Sequence, residues 1–208
     1  MKKISVSIIG SGHGGNVHAP AIIKAGGTID CISDTGSGKS KLIANKYKAI
    51  SFSNWKDLIK NSNSKILVIS SPPEFHKRIF QFAANRYKII LCEKPFGKNL
   101  NDATIISQIA KRNNIFGILG FQYRFEPSFI EIKKIIKKEI IGKINRVNVN
   151  WLTNGHSSTK REFSFHHSRA KGGGVSKNYC VHVLDYVSWF LDKEIKYFYS
   201  DNSILVKN

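Results

Sequence analysis

The chain has 208 residues, with 33 Lys and Arg against 14 Asp and Glu, and carries a formal net charge of +19. Hydrophobic residues make up 41% and aromatic residues 11% of the sequence, which excludes a disordered or collagen-like chain and suffices for a packed core. No apolar run reaches the about 18 residues that a membrane-spanning helix needs, so we expect no membrane partner. Cys31, Cys92 and Cys180 are odd in number and far apart, which argues against a disulfide framework and predicts a cytoplasmic protein.

The positive charge is spread along the whole chain. Its densest patch alternates with isoleucines at helical spacing and forms the solvated face of a predicted helix; it consists of Lys133, Lys134, Lys137 and Lys138. Nucleic-acid-binding proteins concentrate their basic residues on one surface instead. We therefore predict no nucleic-acid partner.

Apolar runs and amphipathic patterns alternate through the first 120 residues. The predicted strands are Lys3–Ile9, Thr28–Ser33, Lys65–Ser70, Lys88–Cys92 and Ile115–Gly120. The predicted helices are Val17–Lys24, Lys39–Tyr47, Trp55–Lys60, Glu74–Arg86 and Asn101–Asn113. Strands that alternate with helices pair in parallel through right-handed crossovers. The pattern predicts an α/β fold, a doubly wound parallel sheet of the Rossmann type.

The alternation ends after Gly120, and a second domain is predicted from there. It contains a helix over Pro127–Glu139, a long strand over Lys143–Leu152, a helical stretch over Val175–Leu191 and a strand over Ile195–Val206. We divide the chain into a dinucleotide-binding domain, 1–122, and a partial α+β domain with an open antiparallel sheet, 123–208. Two strands alone form a marginal sheet.

The first predicted strand leads directly into a glycine-rich loop, Gly10-Ser11-Gly12-His13-Gly14-Gly15. Glycines at positions 10, 12 and 15 match the pattern in which one permits a tight turn, one lets a pyrophosphate approach the backbone and one lets the helix pack on the strand. Asp34 ends the second strand, where a carboxylate binds the adenosine ribose hydroxyls. A dinucleotide site is therefore predicted, formed by the glycine-rich loop, including His13 and Gly14, and by Asp34.

Asp34 slightly favours NAD as the cofactor, whereas Lys39 and Lys41 leave NADP open because they can reach a 2′-phosphate. The stretch Gly38-Lys39-Ser40 resembles the end of a P-loop, but Ser33 stands where that motif requires its first glycine. We therefore reject a P-loop. The histidines show no metal-ligand spacing and the cysteines form no C-x-x-C pair, so we expect no metal site.

Several motifs in order along the chain resemble those of the Gfo/Idh/MocA oxidoreductases, the family of glucose–fructose oxidoreductase and inositol dehydrogenase. They are Gly10–His18, Ile69–His76, Cys92-Glu93-Lys94-Pro95, Gly120–Phe125 and Gly172–Asp185. The resemblance runs to about Leu191. Such proteins continue well beyond the equivalent of Asn208, so we expect a C-terminally shortened chain, a partial sequence, or a chain completed by homo-oligomer formation through the second-domain sheet.

The resemblance implies roles for individual residues around the cofactor. Lys94 would lie near the nicotinamide and the reacting hydroxyl, where it stabilises an alkoxide or helps to move its proton. Pro95 would make a sharp turn that aims Lys94. The other residues implied to bind the cofactor are Ser70, Ser71, Pro72, His76, Glu93 and Gln122.

His182 matches the family's active-site histidine and would act as the general acid–base; the alternative is a core histidine on an apolar helix. Asn178 departs from the family, because many members have aspartate there, so a Lys–Asp–His relay is incomplete. Asp185 would orient the His182 ring or form a structural hydrogen bond.

These observations favour an NAD(P)-dependent oxidoreductase that acts on a secondary alcohol of a sugar, cyclitol or related polyol. A second enzymatic hypothesis keeps the cofactor but uses transient oxidation to cleave a glycosidic bond, as some relatives do. The alternative from another class is a dinucleotide-binding protein without turnover. Asn178 and the early end of the chain favour that alternative.

Overall fold

The computed structural model of the chain describes residues 3–153 and 164–201, which divide into two compact units. The first unit contains the described residues up to Phe121 together with Thr153 and residues 164–179. The second contains residues 122–152 and 180–201. The segment 164–179 thus belongs to the same compact unit as the N-terminal residues.

The first unit is built on a parallel sheet of six strands, as the alternating pattern predicts for an α/β fold. The strands are β1 (Ser5–Ile9), β2 (Thr28–Ser33), β3 (Ile50–Phe52), β4 (Ile66–Ile69), β5 (Ile89–Cys92) and β6 (Phe116–Leu119). Their order in the sheet is β3-β2-β1-β4-β5-β6, and every neighbouring pair is parallel. The order reverses between β1 and β4, and open α/β sheets bind ligands at the carboxyl ends of strands at such a point.

The helices of the first unit follow the predicted ones closely. They are α1 (Ala19–Lys24), α2 (Ser40–Tyr47), α3 (Trp55–Asn61), α4 (Pro73–Ala83) and α5 (Leu100–Arg112). Asn54 and Asn99 cap α3 and α5, since their side chains accept hydrogen bonds from the amides of Lys56 and Asp102. Two details differ from prediction: a π-turn over Gly14–His18 precedes α1, and β3 was not predicted.

Two apolar clusters cover opposite faces of this sheet. Successive side chains of a strand point to opposite faces, so Ile8 lies in one cluster with Ile32 and Val68, while Ile9 lies in the other. The larger cluster includes Phe80 and Tyr87, both fully buried. Burial on both faces explains why the strands have almost continuous apolar sequences. It also fixes where each strand ends and its functional loop begins.

The second unit contains two helices, α6 (Pro127–Lys137) and α7 (Val181–Leu191), preceded by a 3₁₀ turn over Gln122–Phe125. Aromatic rings join the two helices: the ring centroids of Phe129 and Tyr186 are 5.1 Å apart. The ammonium of Lys133 binds Asp192 and the carbonyl oxygen of Trp189. This lysine of the densest basic patch is therefore engaged within the unit.

The predicted antiparallel sheet is not seen among the described residues. Residues 143–152 and 195–201 have no assigned strand, and the predicted strand Ile195–Val206 lies partly outside the described residues. Strands are defined by hydrogen bonds to a neighbour, and no such pairing involves the described part of these segments. The sheet remains a prediction.

Within the described residues, no helix combines the length and the apolar composition required to cross a bilayer.

Candidate cofactor site

Three loops meet at the carboxyl edge of the parallel sheet and carry most of the predicted site residues. The glycine-rich loop follows β1, the segment Ser70–Pro72 follows β4, and Glu93–Pro95 follows β5. Because β1, β4 and β5 are neighbours, these loops lie side by side at the point where the strand order reverses. The sheet topology thus gathers residues that are up to 85 positions apart, from Gly10 to Pro95.

The glycine loop has a required glycine, an open glycine and two packed glycines. Gly10 has a φ of +115°, and a Cβ there would lie 2.3 Å from the Ser70 carbonyl oxygen. Gly14 and Gly15 pack so closely that a Cβ would lie 2.6 Å and 2.7 Å from Ile8 and Ile43 side chains. A Cβ at Gly12, in contrast, would meet no atom within 4 Å. The backbone of Gly12 is therefore open to a ligand such as a pyrophosphate.

A buried hydroxyl next to the loop is consistent with a polar ligand. The Ser70 Oγ has no hydrogen-bond partner among the described residues and lies 3.6 Å from the position that a Cβ on Gly14 would occupy. Buried hydroxyls are nearly always hydrogen-bonded in folded proteins. Together with the open Gly12, this hydroxyl shows that the loop suits a phosphate-bearing cofactor.

Asp34 lies at the end of β2 and is only 4% exposed. Its two carboxylate oxygens accept hydrogen bonds from the backbone amides of Gly36 (2.8 Å) and Ser40 (2.9 Å). Burial alone would raise the pKa of Asp34, but these amides and the Ser37 hydroxyl bring it below the ordinary value. The carboxylate thus organises the loop before α2, at the end of β2 where a carboxylate is expected to bind the ribose hydroxyls.

Glu93 is the centre of a polar cluster beside the glycine loop. His18 Nε2 donates a 2.7 Å hydrogen bond to Glu93 Oε1, and His13 Nε2 lies 3.6 Å from the same oxygen. Burial opposes ionisation, but the bond from His18 and the charges of both histidines bring the pKa of Glu93 below its ordinary value. Burial also lowers the pKa of His13. Sequence reasoning identified His13 and Glu93 but not His18, although His18 ends the quoted motif Gly10–His18.

Lys94 is bound to Asn178, which belongs to the same unit. Its Nζ donates a 3.0 Å hydrogen bond to the backbone carbonyl of Asn178, and burial lowers its pKa while Glu93 partly opposes this. The peptide bond between Lys94 and Pro95 is cis. Since Lys94 contacts the main chain at position 178, the contact does not depend on whether that residue is Asn or Asp.

The side chain of Asn178 is held by its neighbour His166. The amide nitrogen Nδ2 donates to the His166 carbonyl at 3.1 Å, and Oδ1 lies 3.2 Å from His166 Nδ1. The structure therefore brings the Lys94 ammonium and the main chain of Asn178 together, while the Asn178 side chain is bound to His166. His166 was not predicted, because its contact spans the glycine stretch at 172–174.

The loop after β4 is held by His76. This histidine is fully buried and its Nε2 donates to the Ser71 carbonyl oxygen at 2.7 Å. Burial lowers its pKa, which keeps the ring neutral. The imidazole thus positions Ser71, and the expected role of His76 in cofactor binding stays a prediction. Pro72 then leads into α4.

The remaining predicted residues, His182, Asp185 and Gln122, lie in the second unit. His182 is 4% exposed and packs against aromatic rings, with centroids 5.1 Å from Tyr123 and 6.1 Å from Trp151. The carboxylate of Asp185 is bound by the guanidinium of Arg124, whose Nε donates at 2.9 Å. This contact corresponds to the structural hydrogen bond that was one of the two roles considered for Asp185; a role in orienting the His182 ring stays a prediction. Gln122 begins the 3₁₀ turn and is exposed.

Comparison with known protein families agrees with this fold. The model of an oxidoreductase family with an NAD-binding Rossmann fold matches residues 4–121, and the C-terminal domain of the same family matches residues 129–208. The chain belongs to the Gfo/Idh/MocA family of oxidoreductases. Its first unit therefore contains the NAD-binding domain of that family, which confirms the resemblance found in the sequence motifs.

Relatives within the family include named dehydrogenases. Glucose-6-phosphate 3-dehydrogenase of Bacillus subtilis is 28% identical over 92% of this chain and 54% of its own length. Myo-inositol 2-dehydrogenase of Thermotoga maritima is 23% identical over 97% of this chain and 59% of its own length. The chain thus spans about half the length of the curated relatives that it matches.

Solved structures of the family have the same fold. The myo-inositol 2-dehydrogenase of Lactobacillus plantarum superposes with a TM-score of 0.77 at 25% identity, covering 92% of this chain and 57% of that chain. The WlbA dehydrogenase of Chromobacterium violaceum, solved with NADH and UDP-GlcNAcA, gives a TM-score of 0.82 at 18% identity, covering 92% of this chain and 56% of that chain. The second likeness concerns the fold alone.

Proposed function

We propose that the chain forms the cofactor-binding part of an NAD(P)-dependent oxidoreductase that acts on a secondary alcohol or ketone of a sugar, cyclitol or related polyol. The observation that carries the proposal is the open Gly12 backbone beside Glu93 and Lys94 at the strand-order reversal. The named sugar and inositol dehydrogenases among its relatives support the substrate class.

The cofactor would be held by the residues after β1, β2 and β4. Gly12 and the Ser70 hydroxyl suit the pyrophosphate, and Asp34 suits the adenosine ribose, which favours NAD. Lys39 and Lys41 are both exposed beside that position and keep NADP as a possible cofactor. When bound, the nicotinamide accepts or supplies the hydride.

Lys94 supplies the charge that the reacting oxygen requires. A substrate hydroxyl beside its ammonium would gain negative charge as a base takes its proton, and the hydride would leave the same carbon. A cation fixed in place stabilises that negative charge more than water does. The hydrogen bond to the Asn178 carbonyl fixes the ammonium in position. The backbone amide of Lys94 donates to the Glu93 carboxylate at 3.2 Å, which fixes the main chain that carries it. This role needs no carboxylate at position 178.

His182 is proposed as the general acid–base on the strength of the family motif alone. Its burial among aromatic rings in the second unit also fits the alternative of a core histidine. His182→Asn distinguishes the two roles. A catalytic role predicts loss of turnover by a folded protein, and a core role predicts a lower unfolding temperature with turnover per folded molecule retained.

Two further features belong to this proposal. We propose that the second domain completes an open antiparallel sheet and that homo-oligomers form through it. In the second unit the side chains of Leu152 and Tyr197 are each 94% exposed, which supports a covering partner or further strands.

The test is a panel of sugars and cyclitols assayed for reduction of NAD and NADP. Lys94→Met is compared with Lys88→Met, a matched control whose Nζ also donates to a backbone carbonyl at 3.0 Å. We expect Lys94→Met to lower kcat/KM by about 10²–10⁴-fold while NADH still binds. Lys88→Met should leave turnover unchanged. Equal activity of both variants would refute the role of Lys94.

The second candidate function is dinucleotide binding without turnover. It is favoured by Asn178, which carries no charge and whose amide is engaged by His166. NADH binding without reaction of any compound in the panel would support this candidate, and glycoside cleavage products without net cofactor reduction would instead support transient oxidation.

A further inference from the structure

His13, His18 and Glu93 direct three potential metal ligands to one point. The two imidazole Nε2 atoms and a carboxylate oxygen of Glu93 all lie within 4.8 Å of one another. Both Nε2 atoms approach the same oxygen, Oε1, at 3.6 Å from His13 and 2.7 Å from His18. The convergence is a property of three side chains from two separate loops, and the hydride chemistry proposed above does not require it.

The π-turn before α1 explains why the two histidines meet. In an α-helix, residues five positions apart are rotated by about 140° around the axis and point away from each other. Here the amide of Ala19 bonds to the carbonyl of Gly14, an i→i+5 bond that widens the turn. The rings of His13 and His18 consequently stand 5.2 Å apart, edge to face, on one side of the turn. Such π-turns occur frequently at functional sites.

The ligand set identifies the class of ion. Two imidazoles and one carboxylate suit zinc and similar transition metals, whereas calcium and magnesium prefer oxygen ligands. With metal–ligand distances near 2.0–2.1 Å, the ligands of a tetrahedral site are about 3.3 Å apart. The observed 3.6 Å and 2.7 Å lie on either side of that value. An ion that replaces the His18–Glu93 hydrogen bond needs only a sub-ångström separation of these two groups.

Access to this point is compatible with metal binding. The side chains of Glu93 and His18 are 12% and 17% exposed, while that of His13 is 50% exposed. An ion can therefore enter past His13 and find two ligands already fixed. Three protein ligands leave a fourth tetrahedral position for water or another donor, as in zinc sites that bind small molecules.

We propose that His13, His18 and Glu93 form a binding site for Zn²⁺ on the glycine-rich loop. This revises the expectation of no metal site, which was based on sequence spacing alone. Two histidines five positions apart can bind the same ion here only because the π-turn places their rings on one side.

The test uses the full chain, freed of metal with EDTA and without any cofactor, so its outcome does not depend on NAD(P) binding. Zn²⁺ is titrated calorimetrically into the wild-type protein, His13→Ala, His13→Cys and His167→Ala. We expect one site in the wild type and at least about tenfold weaker binding by His13→Ala. His13→Cys restores a ligand and should recover the affinity, with a thiolate charge-transfer band when Co²⁺ replaces Zn²⁺. His167→Ala, which removes another exposed histidine, should match the wild type.

Equal Zn²⁺ affinity of the wild type and His13→Ala, or no Zn²⁺ binding by the folded wild type, would overturn the proposal. His13 stands at the start of the π-turn, its side chain makes no capping hydrogen bond and it is half-exposed, so its variants should fold, and circular dichroism checks that they do. A protein that binds Zn²⁺ but not NADH would leave this proposal intact while refuting the proposed function. A protein that binds NADH but not Zn²⁺ would refute this proposal and leave the proposed function intact.

Discussion

Asp34→Asn tests the structural role of this carboxylate. The buried carboxylate accepts the backbone amides of Gly36 and Ser40, one on each oxygen. Asparagine keeps the shape but offers one oxygen and one NH₂ group, so one of the two amides then faces a donor. An unsatisfied buried amide costs about 1–3 kcal/mol. We therefore expect the free energy of unfolding to fall by about that amount at neutral pH.

The effect should depend on pH in a defined direction. The folded-state pKa of Asp34 is depressed, so its ionisation stabilises the fold above the unfolded-state pKa, and this contribution is lost as pH falls through the folded-state value. The difference between wild type and Asp34→Asn should hence be full near pH 7 and shrink below about pH 4. Urea unfolding followed by circular dichroism at a series of pH values measures it. A difference that is absent at pH 7, or that grows on acidification, would refute this account of the loop.

The remaining predictions concern glycines, an ion pair and thiols. Gly12→Ala should retain the unfolding temperature, because nothing lies within 4 Å of its Cβ, and should weaken NADH binding. The control Gly117→Ala, equally open but on β6, should change neither the unfolding temperature nor NADH binding. A lower unfolding temperature of Gly12→Ala would contradict the conclusion that this backbone is open. Arg124→Met should lower the free energy of unfolding by about 1–3 kcal/mol, because it leaves the Asp185 carboxylate, only 7% exposed, without its guanidinium; an unchanged urea midpoint would contradict this. Burial raises the pKa of Cys31 to about 11, so at pH 8 Cys180 should react with a thiol reagent well before Cys31, and mass mapping that finds Cys31 modified first would contradict it.

Much of the first unit follows from its sequence because local patterns and burial agree there. β2 begins and ends where its apolar run predicts, at Thr28 and Ser33, since both faces of the sheet are covered. β3 escaped prediction because it has three residues and Ile50 is 57% exposed, so no apolar run marks it. Its place at the sheet edge depends on pairing with β2, which is a tertiary interaction.

The site was predictable where a motif carries its own geometry. The glycine loop and Glu93–Pro95 are read from consecutive residues, and Gly10 does adopt the positive φ that its turn requires. The partners of these residues depend on contacts across the chain: Lys94 on the Asn178 carbonyl, Asp185 on Arg124 and Glu93 on His18. No local pattern encodes those pairs. The π-turn that brings His13 to His18 is likewise invisible to a search for helical spacing.

The central claim is that the glycine loop, with Glu93 and Lys94 beside it, is a nicotinamide-cofactor site. Its most direct test is a fluorescence titration of NADH and NADPH with the purified chain. We expect saturable binding of one reduced cofactor per chain, with NADH preferred over NADPH because a carboxylate at the end of β2 suits the ribose hydroxyls. A folded chain that binds neither cofactor saturably would contradict the claim.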